Sequence, residues 1–289
     1  MTEIQGLGTA LITPFKADMS VDYDALDRLL DTQLTGDIDY IVVLGTTGEA
    51  ATMTADEKRE VRQHIVRYVS GRLPLVLGVG GNNTAQLISD IEAMREELKR
   101  DYAAILSVCP YYNKPSQEGL FRHFCAVAEA SPIPVILYNV PGRTGVNLLP
   151  ETVMRIYQAH PDKICGVKEA SGNVEQIKHL IGLKQSTADC RLSVISGDDG
   201  IACELMQAGA AGLISVASNA FAKDFHKIVH EKDEKLQADY AEMVRLLFVE
   251  GNPAGIKTVL AHKGIIGNYL RLPLVPNSDK VKQQIAQLL

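Results

Sequence analysis

The sequence predicts an α/β fold, a (β/α)8 TIM barrel followed by a C-terminal helical appendage. Three observations lead there. Short apolar runs alternate with longer amphipathic segments, the runs number eight, and they stop after about residue 232. Strand then helix, repeated, makes a parallel sheet with right-handed crossovers. Eight repeats in 289 residues suit a barrel of about 250 residues plus an addition better than an open doubly wound sheet. An open sheet would also call for a nucleotide fingerprint. Gly78-Val79-Gly80-Gly81-Asn82-Asn83 lacks the last glycine of one.

Strands are expected at 7–13, 40–44, 75–79, 103–108, 134–138, 164–168, 192–196 and 212–215. Each is short and apolar through its middle, as strands covered on both faces are. The first helix is expected at 22–34, where Leu26, Leu29, Leu30 and Leu34 share a face. The second, 54–69, opens with the capping box Thr54-Ala55-Asp56-Glu57. Others follow at 84–99, at 116–130 behind Ser116, and at 150–159 with Pro150 in its first turn. Residues 173–184, 199–208 and 220–232 complete the barrel set. Beyond it, 235–249, 253–264 and 277–289 read as three helices, separated by Gly251-Asn252-Pro253 and Leu272-Pro273-Leu274-Val275-Pro276. The expected division is a barrel domain, 1–232, and a three-helix domain, 233–289.

Composition excludes several functions. The chain is 46% hydrophobic and 22% charged, with a formal charge of −6 and no basic run. That argues against nucleic acid or an anionic membrane as partner. No apolar stretch approaches the roughly 20 residues of a membrane span. The N-terminus shows no basic segment followed by an apolar core, so a cytoplasmic location is expected. Cys109, Cys125, Cys165, Cys190 and Cys203 form no CxxC pair and read as reduced thiols.

Chemistry in such a barrel sits at the C-terminal strand ends. The segments there are Gly45-Thr46-Thr47-Gly48-Glu49, Cys109-Pro110-Tyr111-Tyr112-Asn113, Tyr138-Asn139-Val140-Pro141-Gly142-Arg143, Lys168-Glu169-Ala170-Ser171-Gly172 and Gly197-Asp198-Asp199. Lys168 ends the apolar run Ile164-Cys165-Gly166-Val167. Lysine is rarely fully buried, and desolvation favours the neutral amine, the form that attacks a ketone to make an imine. Alone it would be a solvated lysine at a strand end. Tyr138 and Tyr112, with Thr46, can form a chain of hydroxyls that both donate and accept protons. Small residues around Thr46 and Thr47 let backbone and hydroxyls hold a carboxylate. Arg143 offers a fork for a second carboxylate. His226 and His230 have i,i+4 spacing but no neighbouring carboxylate in sequence, and read as an exposed pair rather than metal ligands. Asp199 reads as a helix cap rather than a magnesium ligand. No metal site is expected.

On five ordered motifs, Gly45-Thr46-Thr47-Gly48-Glu49, Pro110-Tyr111-Tyr112-Asn113-Lys114-Pro115-Ser116-Gln117-Glu118-Gly119, Tyr138-Asn139-Val140-Pro141-Gly142-Arg143-Thr144-Gly145, Gly166-Val167-Lys168-Glu169-Ala170-Ser171-Gly172 and Ser196-Gly197-Asp198-Asp199, the chain resembles the dihydrodipicolinate synthase family over nearly its whole length. This family belongs to the pyruvate-dependent class I aldolases, as does N-acetylneuraminate lyase. The resemblance implies a condensation of pyruvate with L-aspartate 4-semialdehyde, on the way to diaminopimelate and lysine. It implies that Lys168 carries the imine and Tyr138 is the acid/base. Thr46 would link Tyr138 to Tyr112, which the family donates across a subunit interface. Thr46 and Thr47 would hold the pyruvate carboxylate, and Arg143 that of the semialdehyde. Gly197 and Ile214 would line the pocket. The covalent imine on Lys168 replaces any cofactor, and the assembly would be a homotetramer built as a dimer of dimers.

Arg143 and Gly197-Asp198-Asp199 favour this family over the sialic-acid lyases. Members inhibited by lysine bind it with residues after the Gly-Thr-Thr-Gly-Glu motif and in the loop after the third strand. Here those regions hold Ala50, Ala55 and Lys58, then Gln86, while Asn82 and Tyr111 are retained. A cation at Lys58 repels a lysine ligand, so weak or absent lysine feedback is expected. Two other readings stay open at this point: another pyruvate-dependent aldolase, acting on a sugar acid, and a non-catalytic barrel that binds a ligand.

Overall fold

A computed structural model describes residues 4–289. All eight expected strands are present: β1 (Gly6–Ala10), β2 (Tyr40–Val43), β3 (Leu75–Gly78), β4 (Ala104–Val108), β5 (Val135–Asn139), β6 (Ile164–Glu169), β7 (Ser193–Ser196) and β8 (Gly212–Ser215). They are neighbours in sequence order and close into a barrel. By contact density the chain divides into two compact units, residues 4–6 with 75–214 and residues 7–74 with 215–289.

In the first unit the strand pairs from β3 to β8 are parallel. The helices are α3 (Thr84–Ala93), α4 (Arg95–Asp101), α5 (Gln117–Ala130), α6 (Pro141–Thr144), α7 (Pro150–Ala159), α8 (Val174–Gln185) and α9 (Ala202–Ala208). Helix α5 shows why they pack as they do. Leu120, His123, Phe124, Val127 and Ala128 are buried, the i, i+3, i+4 stripe of an amphipathic helix, and α5 lies against α3 and α7. The expected single helix 84–99 is two, because Met94 leaves helical geometry at φ −98° and ψ 9° while its amide still bonds the Asp90 carbonyl. The segment after β5 is a short helix with Pro141 at its start and Gly145 left-handed at its end.

In the second unit β1 and β2 pair in parallel, Thr9 opposite Ile41. Helices α1 (Tyr23–Leu34) and α2 (Ala55–Val69) follow, then α10 (Ser218–His230), α11 (Glu234–Asp239), α12 (Ala241–Phe248), α13 (Ala254–His262) and α14 (Asp279–Gln287). The capping box at Thr54 and Glu57 is formed. The three helices expected after residue 232 are four, since 235–249 breaks at Tyr240. Its hydroxyl donates to Asp224 Oδ2 at 2.5 Å, and its ring meets Phe221 and Phe225 of α10 edge-on.

The run 272–276 has no helix or strand, but Arg271 anchors it. The guanidinium reaches both Glu57 oxygens at 2.8 and 2.5 Å, donates to the carbonyls of Met19 and Thr52, and lies 4.4 Å from the Phe15 ring centroid. No helix among the described residues is long and apolar enough to cross a membrane.

Arg271 beside it holds the Glu57 carboxyl down at about 2, below the roughly 4.3 of an unfolded glutamate. The stabilisation is therefore complete above the unfolded value and is lost as pH falls through the folded one. Glu57→Gln keeps the capping box and removes the charge. The wild type should exceed it in stability by about 2 kcal/mol near neutral pH, after allowance for screening of a part-exposed carboxylate. Urea unfolding across the acid range should show that gap closing between about pH 4.5 and 2. A gap that stays constant across the window would refute the account.

Candidate active site

Strands β5 and β6 are adjacent, and their register sets Tyr138 opposite Lys168 and Asn139 opposite Glu169. Side chains alternate along a strand, so one pair faces one way and the next the other. Lys168 and Tyr138 are each only 7% exposed. The lysine Nζ lies 4.5 Å from the tyrosine ring centroid, within the range where an ammonium is held by a ring face. No carboxylate pairs with Lys168 among the described residues. The amine has thus lost most of its water without gaining a counter-charge.

Gly197 follows β7, and its amide donates to the Glu169 carbonyl at 2.8 Å. A Cβ at this position would stand 2.9 Å from Lys168 Cε and 2.6 Å from Ala170 Cβ. Only glycine leaves the lysine its present path. Ile214 is buried on β8.

Behind the pair lies a polar network that the sequence reading missed. Asn139 Nδ2 is 3.1 Å from both carboxylate oxygens of Glu169 and 2.8 Å from Asn147 Oδ1. Glu169 also accepts from the Ser171 amide at 2.9 Å and Gln176 Nε2 at 3.1 Å. Gln176 and Asn147 bond each other, and Gln117 donates to the Asn147 carbonyl. Burial pushes the Glu169 carboxyl up, while its hydrogen bonds from Asn139, Ser171 and Gln176 pull it down. Burial also raises the Cys109 thiol, and the charge of Glu169 adds to that. The available signal was position: Asn139 and Glu169 each directly follow a singled-out residue.

The remaining expected residues of this unit are not gathered in. Tyr112 is 89% exposed, left-handed at φ 73°, with its amide donating to the Thr144 carbonyl. Arg143 is exposed on α6. Asn82 Nδ2 donates to the Tyr111 carbonyl at 3.1 Å, and Tyr111 is exposed. Gln86 is exposed and bonded to Asp90. The cap expected of Asp199 is made by Asp198, whose carboxylate accepts the Gly200 amide at 2.8 Å, while Asp199 is buried. A hollow of about 780 Å³ lined by Pro134, Tyr157 and Arg191 opens at the N-terminal ends of β5 and β7, the end of a parallel barrel that serves stability.

In the second unit Thr46 and Thr47 occupy a 3-10 turn (Thr46–Gly48) after β2. Thr46 is exposed and Thr47 buried, its Oγ1 accepting from Asn252 Nδ2 at 2.9 Å. Ala50 and Lys58 are half-buried. His230 bonds Asp39 at 2.7 Å, and His226 the Asp37 carbonyl at 2.5 Å. The carboxylate absent from their sequence neighbourhood is thus supplied by the fold, and the ligand atoms of Asp39, His226 and His230 lie within 4.8 Å of one another. None of the five cysteines is in a disulfide.

The Dihydrodipicolinate synthetase family profile matches residues 3–289. The chain belongs to this family. The 4-hydroxy-tetrahydrodipicolinate synthase of Parabacteroides distasonis is 47% identical over 99% of this chain and 97% of its own. The dihydrodipicolinate synthase of Thermotoga maritima superposes with TM-score 0.93 at 37% identity, over 99% of this chain and 98% of that one. A structure described as the first monomeric dihydrodipicolinate synthase variant gives 0.91 at 37% identity, over 98% and 95%. Membership makes the chain a lyase with the activity for which its curated relatives are named.

A methyl at Gly197 would crowd Lys168 Cε; with Lys168 as the proposed reacting group, Gly197→Ala should lower kcat/KM for the condensation at least about a hundredfold, the cost of a displacement of about 1 Å. Initial rates on the folded variant decide it. Rates within about threefold of wild type would show that Lys168 tolerates the methyl.

Proposed function

We propose that this chain condenses pyruvate with L-aspartate 4-semialdehyde through an imine on Lys168. The observation that carries the reading is the buried, unpaired amine set by strand register against the face of Tyr138. The neutral amine of Lys168 adds to the ketone carbon of pyruvate, and loss of water gives the imine. Once protonated, the imine draws electrons from the neighbouring methyl, which gives up a proton to form an enamine. Tyr138 moves protons at this centre, with Thr46 and a partner's Tyr112 as the relay. The enamine carbon forms a bond to the aldehyde carbon of the semialdehyde. The amine of that substrate then displaces Lys168 and closes the ring to 4-hydroxy-tetrahydrodipicolinate. Thr47, with Thr46, holds the pyruvate carboxylate, and Arg143 takes the second one. Gly197 and Ile214 shape the pocket. The imine is itself the electron sink, so the cycle has no step for a metal or organic cofactor.

The exposed phenol of Tyr112 supports an assembly of at least a dimer, and a homotetramer is the family-based expectation. The monomeric variant among the solved relatives makes sedimentation of this chain worth measuring. The reading places the chain in the cytoplasm, free of membrane and nucleic acid. Residues 1–232 carry the chemistry, and residues 233–289 support it.

Borohydride reduction in the presence of pyruvate, followed by peptide mass mapping, tests the reading. A reduced adduct on Lys168 is expected. An adduct on Lys257, the other buried lysine among the described residues, or none at all, would sink it. The lysine-binding positions make a separate prediction. Lys58 adds a cation where an ammonium ligand would sit, and Gln86 offers it no charge. Submillimolar L-lysine should therefore leave more than about half the condensation rate, and stronger inhibition would show that these substitutions do not prevent feedback.

A further inference from the structure

We propose that Asn252 is a positioning residue for the pyruvate carboxylate, because its amide decides which way the Thr47 hydroxyl donates. This rests on the reading above, in which Thr47 holds that carboxylate. Asn252 lies two residues before the start of α13 and is 6% exposed, and Thr47 is 3% exposed. Their side chains meet at 2.9 Å, Nδ2 to Oγ1. A hydroxyl has one proton to donate and two lone pairs, whereas an amide nitrogen can only donate. Thr47 Oγ1 therefore accepts here and keeps its own proton. An ionised carboxylate accepts only, so it is this free proton that can bind it.

The reverse orientation of the Asn252 amide would consume the Thr47 proton and turn an NH2 group to where no partner stands. As placed, it is the carbonyl Oδ1 that lacks a partner. Buried carbonyls without a full set of partners occur more readily than orphaned N–H groups, which favours the orientation seen.

The turn that carries Thr47 is held from several sides. Thr13 Oγ1 donates to the Gly48 carbonyl at 2.7 Å. Glu49 is left-handed at φ 53°, a conformation that persists for such a residue only when its surroundings fix it. They do: its carboxylate meets Lys257 Nζ at 2.5 Å and accepts the Arg271 amide at 3.1 Å. Lys257 also donates to the Tyr269 carbonyl at 3.0 Å. Residues well after the barrel strands thus fix both the place and the polarity of one hydroxyl.

Full-length Asn252→Asp and Asn252→Ala test this, with KM for each substrate, kcat and the Lys168 adduct measured on both. Asn252→Asp keeps the shape but can only accept while ionised, so it takes the Thr47 proton. Its pyruvate KM should rise about tenfold or more, as for a lost hydrogen bond to a charged group. That KM should recover as pH falls and the introduced carboxyl takes up a proton and donates again. Asn252→Ala frees the hydroxyl to rotate, and its pyruvate KM should rise about fivefold with no such recovery. The semialdehyde KM should stay within about twofold in both. A pyruvate KM within about twofold of wild type in Asn252→Ala overturns the proposal, and does so alone if the buried carboxylate prevents folding. So does a loss confined to kcat and thermal midpoint, without pH-dependent recovery, since that marks a structural role only. Absence of a Lys168 adduct in the wild type instead overturns the functional reading, and this inference with it.

Discussion

The register between β5 and β6 is the constraint on which the proposed chemistry depends. A slip of one residue would turn every side chain on a strand to its other face. Here it would replace Lys168 by Val167 or Glu169 opposite Tyr138, and the candidate pair would be lost. The Asn139–Glu169 pair, one residue further along both strands, guards against that slip. Ser171 and Gln176 follow Glu169 in its own segment and would move with it, so it is the bond from Asn139 across the strands that has no equivalent in another register. The network stays buried because each of its members is satisfied, and a half-satisfied one would cost more than apolar side chains in its place. The amide and carboxylate thus sit one residue beyond the candidate pair, on the other face of the strands.

The two buried lysines show what burial alone does not decide. Lys257 is fully buried, yet Glu49 and the Tyr269 carbonyl engage its ammonium, and Phe15 covers it at 4.3 Å. Burial draws its pKa down to about 8 while Glu49 opposes the change. Removing one partner of such a pair leaves an uncompensated charge in the interior, so the pair is stable only as a pair. A lysine spoken for in this way is a poor nucleophile. Lys168 is buried against a ring face and has no carboxylate. Its difference from Lys257 lies in its company, and that is what makes it the candidate for imine formation.

The sequence made the strands and most helices legible because their signals are local. Apolar runs, the box at Thr54 and Glu57, Ser116, and Pro150 each act within a few residues. Lys168 and Tyr138 stand out as candidates for the same reason: each ends an apolar run, at the strand ends where a barrel of this kind places its chemistry. Asn252, Lys257 and Arg271 could not. Their partners Thr47, Glu49 and Glu57 lie some two hundred residues away in the chain, and no periodicity encodes such a pairing. Lys257 did leave a trace, as the lone charge in Ala254-Gly255-Ile256-Lys257-Thr258-Val259-Leu260. That is the same kind of trace Lys168 leaves, so the pattern alone does not separate an ion-pair anchor from a nucleophile. The break at Tyr240 was hidden likewise, because helical propensity continues through it while its hydroxyl and ring answer to α10.

Tyr112 is the residue whose placement makes least sense within one chain. Solvent surrounds its ring, and its backbone sits in a region that costs a non-glycine residue about 1 kcal/mol or more. Yet the segment is not loose. Asn82 holds the Tyr111 carbonyl, Asn113 holds that of Asn82, and the Tyr112 amide is bonded to Thr144. These bonds fix a backbone that presents two neighbouring phenols outward. Ordering a side chain at an interface costs about 0.5–1.5 kcal/mol, and a segment already fixed spares much of that cost on association. Tyrosine suits the task, since it offers a large apolar face with few rotatable bonds and ends in a hydroxyl that can still pass a proton. An outward phenol on a rigid loop is therefore consistent with service to a neighbouring copy, which is the role proposed for it in the proton relay.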